Sequence, residues 1–379
     1  VRILLIGEFS RLHNSLKEGL QALGHEVTLI AHGDGFKNYP CDLSTRAQWC
    51  ESKVGNVFRQ FIYRFTKIDV AQHERGIRFW WHSSQLKGYD VVQLINEASI
   101  QTVPFFEQKL LKKIVRQNSK TFLLCCGVDY SVAQHLIQKK ERYSIMNPYF
   151  ENPKAAKEYR FIFDFLTPSH KKIHDLVYQN IQGVIASDID YVLPMQNHPK
   201  FLGLIPNPVN ISKINYADLE IKDKIIVFLG INRNTYFTKG ICFFEEALKI
   251  IKGKYPDKVD VIITESIPYK EYITLYDNAH IVLDQVYGFD QGYNALEAMA
   301  KGKVVFTGAE IEFEKHYNLT EKVAVNALPD MTYLVTELSY LIENPKEIIK
   351  IGIRARAFVE KEHDYIQIAK KYLKAWNGL

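Results

Sequence analysis

The chain has 379 residues, 47% hydrophobic and 24% charged, an ordinary composition for a globular protein and enough length for two cores rather than one. No apolar run reaches the roughly 20 residues of a membrane-spanning helix, which excludes that class. The net charge of +5 is uneven: residues 1–208 hold 26 Lys and Arg against 19 Asp and Glu, and the rest hold 22 against 24, so an anionic partner is expected on the N-terminal side.

Val1–Ile6 reads as a strand, and no signal peptide is read at the start. A polar loop, Gly7–His13, leads into a helix over Ser15–Leu23 that stops at Gly24, and His25–Ala31 is the next strand. This is a Rossmann-like opening without the G-x-G-x-x-G fingerprint, which argues against a dehydrogenase. The loop lies at the carboxyl end of a strand, where open α/β sheets bind ligands. Glu8, Arg11 and His13 are therefore candidate contacts on the acceptor side, the alternative being a solvated polar loop. Residues 32–88 read as irregular, with aromatics interleaved with cations, among them Phe58, Arg59, Phe61, Arg64, Phe65, Lys67, Trp80 and Trp81. Such a stretch either binds nucleic acid or a membrane surface, or forms a helix packed on a sheet with its basic edge in water.

Strands over Tyr89–Asn96, Thr121–Cys126, Gly183–Ser187 and Phe201–Ile205 then alternate with helices over Phe105–Gln117 and Lys154–Asn180, the latter broken near Pro168. Gly127-Val128-Asp129-Tyr130 follows a strand end and adds Asp129 to the acceptor-side candidates. Residues 1–206 make a first doubly wound domain, and Pro206-Asn207-Pro208 opens a linker over 207–223. A second α/β domain spans 224–361. It reads as strand Ile225–Gly230, loop Ile231–Thr238, a helix from Lys239-Gly240 to about Lys252, strand Val259–Thr264, helix Pro268–Asn278 and strand Ile281–Leu283 closed by Asp284. Helical spacing recurs in Tyr333–Leu341, Pro345–Val359 and Asp364–Trp376, so residues 362–379 form a terminal helix. The cysteines (Cys41, Cys50, Cys125, Cys126, Cys242) lack metal-ligand spacing and suit a reducing cytosol.

The most informative stretch is Gly288–Gly302, a loop running into a helix before strand Val304–Phe306. Gly292 sits where the helix begins. The first N–H groups there lack helical partners, and a glycine lets an anion come close. Glu297 lies five residues on, placed for a sugar hydroxyl beside a diphosphate at Gly292. The loop after Gly230 carries Asn232, Arg233 and Lys239. An Arg fork and a Lys point charge at one strand end can grip one diphosphate. A lysine at a helix start otherwise opposes the dipole, the other reading being a plain surface lysine.

Two Rossmann-like domains, the Pro-Asn-Pro linker, the Arg-x5-Lys-Gly loop and the Glu-Ala-Met-Ala-x-Gly helix together resemble the GT-B glycosyltransferases, in pattern the retaining family-4 type. The resemblance implies two domains facing across a cleft, with the terminal helix returning to the first. It implies transfer of a sugar from a UDP- or GDP-sugar to a glycan or lipid-linked acceptor, by a cytoplasmic enzyme, peripheral at the inner face of a membrane. It implies neither metal nor other cofactor, and no nucleic acid. Arg233 and Lys239 would neutralise the diphosphate, Glu297 would hold the ribose, and Gly230, Asn232, Gln291, Gly292, Tyr293 and Asn294 would complete the donor site. The family's Glu-x7-Glu is broken, because Phe289 stands where the first Glu belongs; Asp290 or Gln291 would serve the transferred sugar instead. A non-catalytic sugar-nucleotide-binding module and a GT-B epimerase are the competing readings.

Overall fold

Short aliphatic runs build two parallel sheets in a computed structural model that describes residues 1–216, 218–265, 267 and 269–378. The first sheet contains β1 (Arg2–Ile6), β2 (Glu26–Ala31), β3 (Leu43–Ser44), β4 (Val91–Leu94), β5 (Lys120–Cys125), β6 (Gly183–Ala186) and β7 (Phe201–Leu204), in the order β3-β2-β1-β4-β5-β6-β7. The second contains β8 (Ile225–Ile231), β9 (Val259–Glu265), β10 (Ile281–Leu283), β11 (Val304–Thr307) and β12 (Val325–Asn326), in the order β12-β11-β10-β8-β9. Every pairing within them is parallel. Helices cover both faces, so strands such as β4, β6, β10 and β11 are buried along their whole length.

The strand order decides where ligands can go. In the first sheet the winding reverses between β1 and β4, in the second between β8 and β10. At such a switch point the connections diverge to opposite faces and leave a crevice at the carboxyl ends of the strands. The loops after β1, β4, β8 and β10 therefore frame the places where chemistry is possible.

The terminal helix, Tyr365–Asn377, lies on the first lobe as expected. Its Ile368, Ala369, Tyr372 and Trp376 join Ile3, Leu5, Leu12, Leu16 and Leu20 in one core. Gly19 is required by this contact, since a Cβ there would come within 2.2 Å of the Tyr365 carbonyl oxygen. The chain crosses between lobes twice, and the crossings run side by side. Val209 N–H donates to the His363 carbonyl at 2.7 Å, and Tyr365 N–H to the Val209 carbonyl at 3.2 Å. His363 is buried, and its Nδ1 donates to the Asn207 carbonyl at 2.8 Å.

Residues 32–88 differ from the sequence reading. They hold two helices, Lys53–Thr66 and Val70–His82. Ser52 caps the first by accepting from Gly55 N–H at 3.1 Å, and Asp69 caps the second by accepting from Ala71 N–H at 3.1 Å. The first was illegible as a core helix because its apolar stripe does not face the core. The helices Tyr130–Ile137 and Ile311–Tyr317 were likewise not anticipated. The expected helix start at Pro268 lies outside the described residues; the described helix runs Tyr269–Asn278.

Trp376 tests the docking of the terminal helix. It is 1% exposed, and its Nε1 donates to the buried Gln93 Oε1 at 3.0 Å. Trp376→Ala should cost about 3–5 kcal/mol in chemical denaturation, through cavity formation and a stranded Gln93. A change below ~1 kcal/mol would show that the helix is not integral to the first lobe.

Candidate active site

The second switch point holds the helix Tyr293–Ala300, capped by Gly292 in an extended conformation. Nothing lies within 4 Å of the position a Cβ on Gly292 would take. Ala295, Leu296, Ala298, Met299 and Ala300 are buried, which fixes the helix while its tip stays open. No side chain caps that tip. Its first N–H groups form a partly positive end suited to an anion.

Beside the tip, Asp284 ends β10. Its side chain is 1% exposed and its Oδ1 accepts from Lys239 Nζ at 2.7 Å and from Asn294 Nδ2 at 2.9 Å. Its Oδ2 accepts from Thr307 Oγ1 at 3.3 Å. The loop after β8 and the helix after β10 are thus tied to one carboxylate. The Lys239 side chain remains 31% exposed, and an ammonium with one N–H given to Asp284 keeps two for other oxygens. Asp284 escaped the sequence reading except as a strand end; a polar residue closing a buried strand at a switch point was the available signal. Glu297 is exposed on the same helix, and its carboxylate makes no hydrogen bond or ion pair among the described residues.

Other expected donor residues are placed differently. Arg233 makes a bidentate pair with Glu265 at the end of β9, at 2.7 and 2.6 Å, and lies over the Tyr236 ring. It is held on the β9 side of β8, whereas Lys239 is held on the β10 side. Gly230 makes room for Tyr272, whose ring would be 2.8 Å from an added Cβ, rather than for a ligand. Asn232 caps the short turn after β8, accepting from Asn234 N–H at 3.0 Å.

Asp290 and Gln291 are buried and hydrogen-bonded within the protein. Asp290 accepts from Ile189 N–H at 3.1 Å and Gln291 N–H at 2.7 Å. Gln291 Nε2 donates to the Gly308 carbonyl at 2.6 Å. In return Asp190 of the first lobe accepts from Phe289 N–H at 3.0 Å and Asp290 N–H at 3.2 Å. This is a reciprocal clasp between the helix Ile189–Met195 and the loop before Gly292. Burial pushes the Asp290 carboxyl up to about 6 and Asp190 up to about 7, and raises Asp188, with the neighbouring carboxylates adding to the shifts at Asp188 and Asp190. Tyr293 is also a lobe contact, its hydroxyl donating to the Pro208 carbonyl in the linker. Nearby, Tyr143 donates to Glu310, and Arg142 reaches Glu310 at 2.9 Å and Glu312 at 2.8 Å.

On the first-lobe side, Glu8 is buried and accepts from Asn14 N–H at 2.8 Å and Nδ2 at 2.6 Å through one oxygen. Its other oxygen has no partner among the described residues, and burial pushes its carboxyl up to about 8. His13 donates through Nδ1 to the Gly7 carbonyl at 2.7 Å, which leaves a buried, unpartnered Nε2 acceptor; burial pulls its pKa down to about 4. Arg11 precedes the helix Leu12–Ala22 with φ 74° and pairs with Glu18 at 2.9 Å. Asp129 caps the helix Tyr130–Ile137 through Val132 N–H at 2.9 Å, and burial, then Glu97, raises its pKa strongly. Glu8, His13 and Asp129 are therefore enclosed groups rather than a solvated loop. Tyr39, which the sequence reading missed, has its hydroxyl raised to about 12 by burial and then by Glu297, Asp34 and Glu8. It stands where the first-lobe loops face the Glu297 helix. A cavity of about 280 Å³ lies elsewhere, between Lys139, Arg142, Asn147 and Phe150.

Residues 240–374 match the family model described as "Glycosyl transferase-like". No curated protein matches the chain. Among solved structures, sucrose-phosphate synthase from Thermosynechococcus elongatus is similar with a TM-score of 0.60 at 15% identity, over 100% of this chain and 98% of that one. HepE from Anabaena, in complex with UDP-glucose, gives 0.57 at 13%, over 100% of both chains. The UDP-GlcNAc 2-epimerase from Neisseria meningitidis bound to UDP-GlcNAc gives 0.53 at 13%, again over 100% of both. The chain thus has the expected GT-B fold, and its residues 240–374 carry the match to the glycosyl transferase-like model.

The clasp carries a pH dependence of known sign. Asp290 titrates at about 6 folded against an ordinary 3.8, so the folded state holds its proton over that interval. The stabilisation is full below 3.8 and is lost as pH rises through about 6. Asp290→Asn removes this titration. Urea midpoints should shift in the variant's favour by about 1 kcal/mol between about pH 5 and pH 7. Parallel pH profiles would show that Asp290 is ionised throughout.

Proposed function

We propose that the protein is a glycosyltransferase that moves a sugar from a nucleoside diphosphate sugar to an acceptor hydroxyl. The observation that carries this reading is the shared grip of Asp284 on Lys239 and Asn294, beside the open helix tip at Gly292. The donor diphosphate lies against the tip N–H groups and the two remaining Lys239 donors. The ribose hydroxyls lie on Glu297, whose carboxylate is otherwise unengaged. As the sugar–oxygen bond breaks, negative charge grows on the diphosphate, and donors already aimed there stabilise the transition state more than the ground state. Such a leaving group needs no metal, because the ammonium and the helix end supply the positive charge. Arg233 contributes once it leaves Glu265, and a solvent-exposed pair of this kind holds it only weakly.

The acceptor, a glycan or lipid-linked hydroxyl, enters over the first-lobe loops at Glu8–Arg11 and Tyr39. The UDP-glucose bound by HepE supports a UDP-sugar as donor. In retaining enzymes the departing phosphate takes the proton of the incoming hydroxyl on the same face, so no side-chain base is required. Neither Asp290 nor Asp129 then needs to act as one; both Asp290 oxygens accept backbone N–H groups, and one Asp129 oxygen does. A second reading, epimerisation of the nucleotide sugar, is favoured by the fold shared with the UDP-GlcNAc 2-epimerase.

Incubation with labelled UDP- and GDP-sugars separates these readings. Slow hydrolysis or transfer supports the transferase, epimer exchange the epimerase, and binding without turnover a non-catalytic module. Lys239→Ala should lower kcat/KM by on the order of 100-fold. Because it strands the Asp284 carboxylate, Lys239→Ala/Asp284→Asn serves as the fold control and should be equally slow. Glu297→Gln, at an exposed and unpartnered site, should keep the melting temperature and raise the donor KM. Unchanged turnover in the folded double variant would remove Lys239 from the mechanism.

A further inference from the structure

The helix Lys53–Thr66 is amphipathic, yet its apolar stripe faces away from the protein. Val54, Val57, Phe58, Phe61 and Phe65 recur at helical spacing and are between 52% and 81% exposed, and Ile68, just past the helix end, is 49% exposed. Of its helical residues only Gly55 is buried, where a Cβ would strike the Trp49 carbonyl oxygen at 1.9 Å. The helix is seated by its polar side instead. Arg59 makes a bidentate pair with Asp69 at 2.6 and 2.7 Å, at the start of the following helix. A helix that forms an ion pair inward and presents phenylalanines outward is inverted relative to ordinary core packing. The patch extends onto its neighbours: the exposed Trp49 ring contacts Phe58, and Trp80 and Trp81 of the helix Val70–His82 are 57% and 60% exposed.

We infer that this face docks on an anionic lipid bilayer. Charge selects that occupant. Residues 53–68 contain four cations and no carboxylate. Arg59 is spent on Asp69, while Lys53, Arg64 and Lys67 pair with no carboxylate among the described residues. A helix with a bulky aromatic stripe, flanking cations and no acid of its own, beside carboxylates (Glu51, Asp69 and Glu74) that are each paired with an arginine, matches the boundary between headgroups and acyl chains. A second copy of the chain fits it less well, because a two-fold contact would set this all-cationic helix against itself. Among the described residues no helix is long and apolar enough to cross a membrane, so the contact is peripheral. The inference deepens the proposed reading by bringing the first lobe to a surface where lipid-linked acceptors reside. It is tested without turnover, so the two fail separately.

The full chain is floated with vesicles of phosphatidylcholine containing roughly 30 mol % phosphatidylglycerol and with pure phosphatidylcholine vesicles. Co-flotation with the anionic vesicles is expected, at least about tenfold weaker on pure phosphatidylcholine and weakened by high salt. Phe61→Ser/Phe65→Ser, at sites 61% and 70% exposed, should keep the melting temperature and lose vesicle binding by a similar factor. Absence of binding to anionic vesicles, or equal binding by the double variant, overturns the inference. Concentration-dependent self-association that the double variant abolishes, without vesicle binding, assigns the face to a second copy and overturns it as well.

Discussion

The arrangement of the second lobe depends on one buried carboxylate. Asp284 lies at the end of the strand beside the switch point, and its oxygens accept from Lys239, Asn294 and Thr307. A carboxylate removed from water is costly unless it is paired and hydrogen-bonded. Here the compensation comes from three separate elements: the loop after β8, the tip of the Tyr293–Ala300 helix and the end of β11. Satisfying the carboxylate therefore fixes these elements relative to one another. The lysine that would be misplaced at a helix start becomes favourable, because its counter-ion is already built into the neighbouring strand. The same pairing leaves the ammonium partly exposed, so a cation is held in register without being fully consumed.

The contacts between lobes follow a similar economy of backbone groups. The loop before Gly292 has N–H groups that its own lobe does not use, and Asp190 accepts two of them. The helix Ile189–Met195 has a free N–H at its start, and Asp290 accepts it. Each lobe thus completes the unsatisfied end of an element in the other. Three carboxyls gather at this contact, and burial raises all three. Burial disfavours the ionised form of each, and at Asp188 and Asp190 the neighbouring carboxylates add to that effect, which is why Asp290 and Asp190 titrate at about 6 and about 7 rather than near 4.

How much of this was legible in the sequence depended on whether the signal was local. The alternation of aliphatic strands with amphipathic helices is a local pattern, and it marks the terminal helix and every strand of both sheets except the two-residue edge strands Leu43–Ser44 and Val325–Asn326. Gly292 at a helix start and Glu297 on its exposed side are also local facts, visible because glycine and a following helical run are adjacent in the chain. The roles of Asp290 and Gln291 were not legible, since their partners lie in Ile189 and Gly308 and only the fold brings them together. Arg233 was expected beside Lys239 because six residues separate them, yet Glu265 on the neighbouring strand draws it the other way. Residues 53–68 were misread for a different reason: apolar periodicity reports that a helix has an apolar face, not which way that face points.

The hinge and the clasp together constrain how the crevice can open. The two crossings at Val209 and His363 are adjacent and hydrogen-bonded to each other, and the half-buried Tyr293 ties the linker to the donor-side helix. These contacts join the two crossings of the chain between the lobes. The Asp190–Asp290 exchange and the Arg142 and Tyr143 contacts with Glu310 lie between the lobes and must part if the crevice widens there. The energetic cost of opening is thus concentrated in a few polar contacts. The Arg142 pair is half exposed and its release is cheap, whereas the carboxyl clasp is buried and must take up water when it parts. Opening is therefore governed by the clasp, and because the clasp holds protons that water does not, its strength changes with pH while the hinge and the two sheets stay as they are.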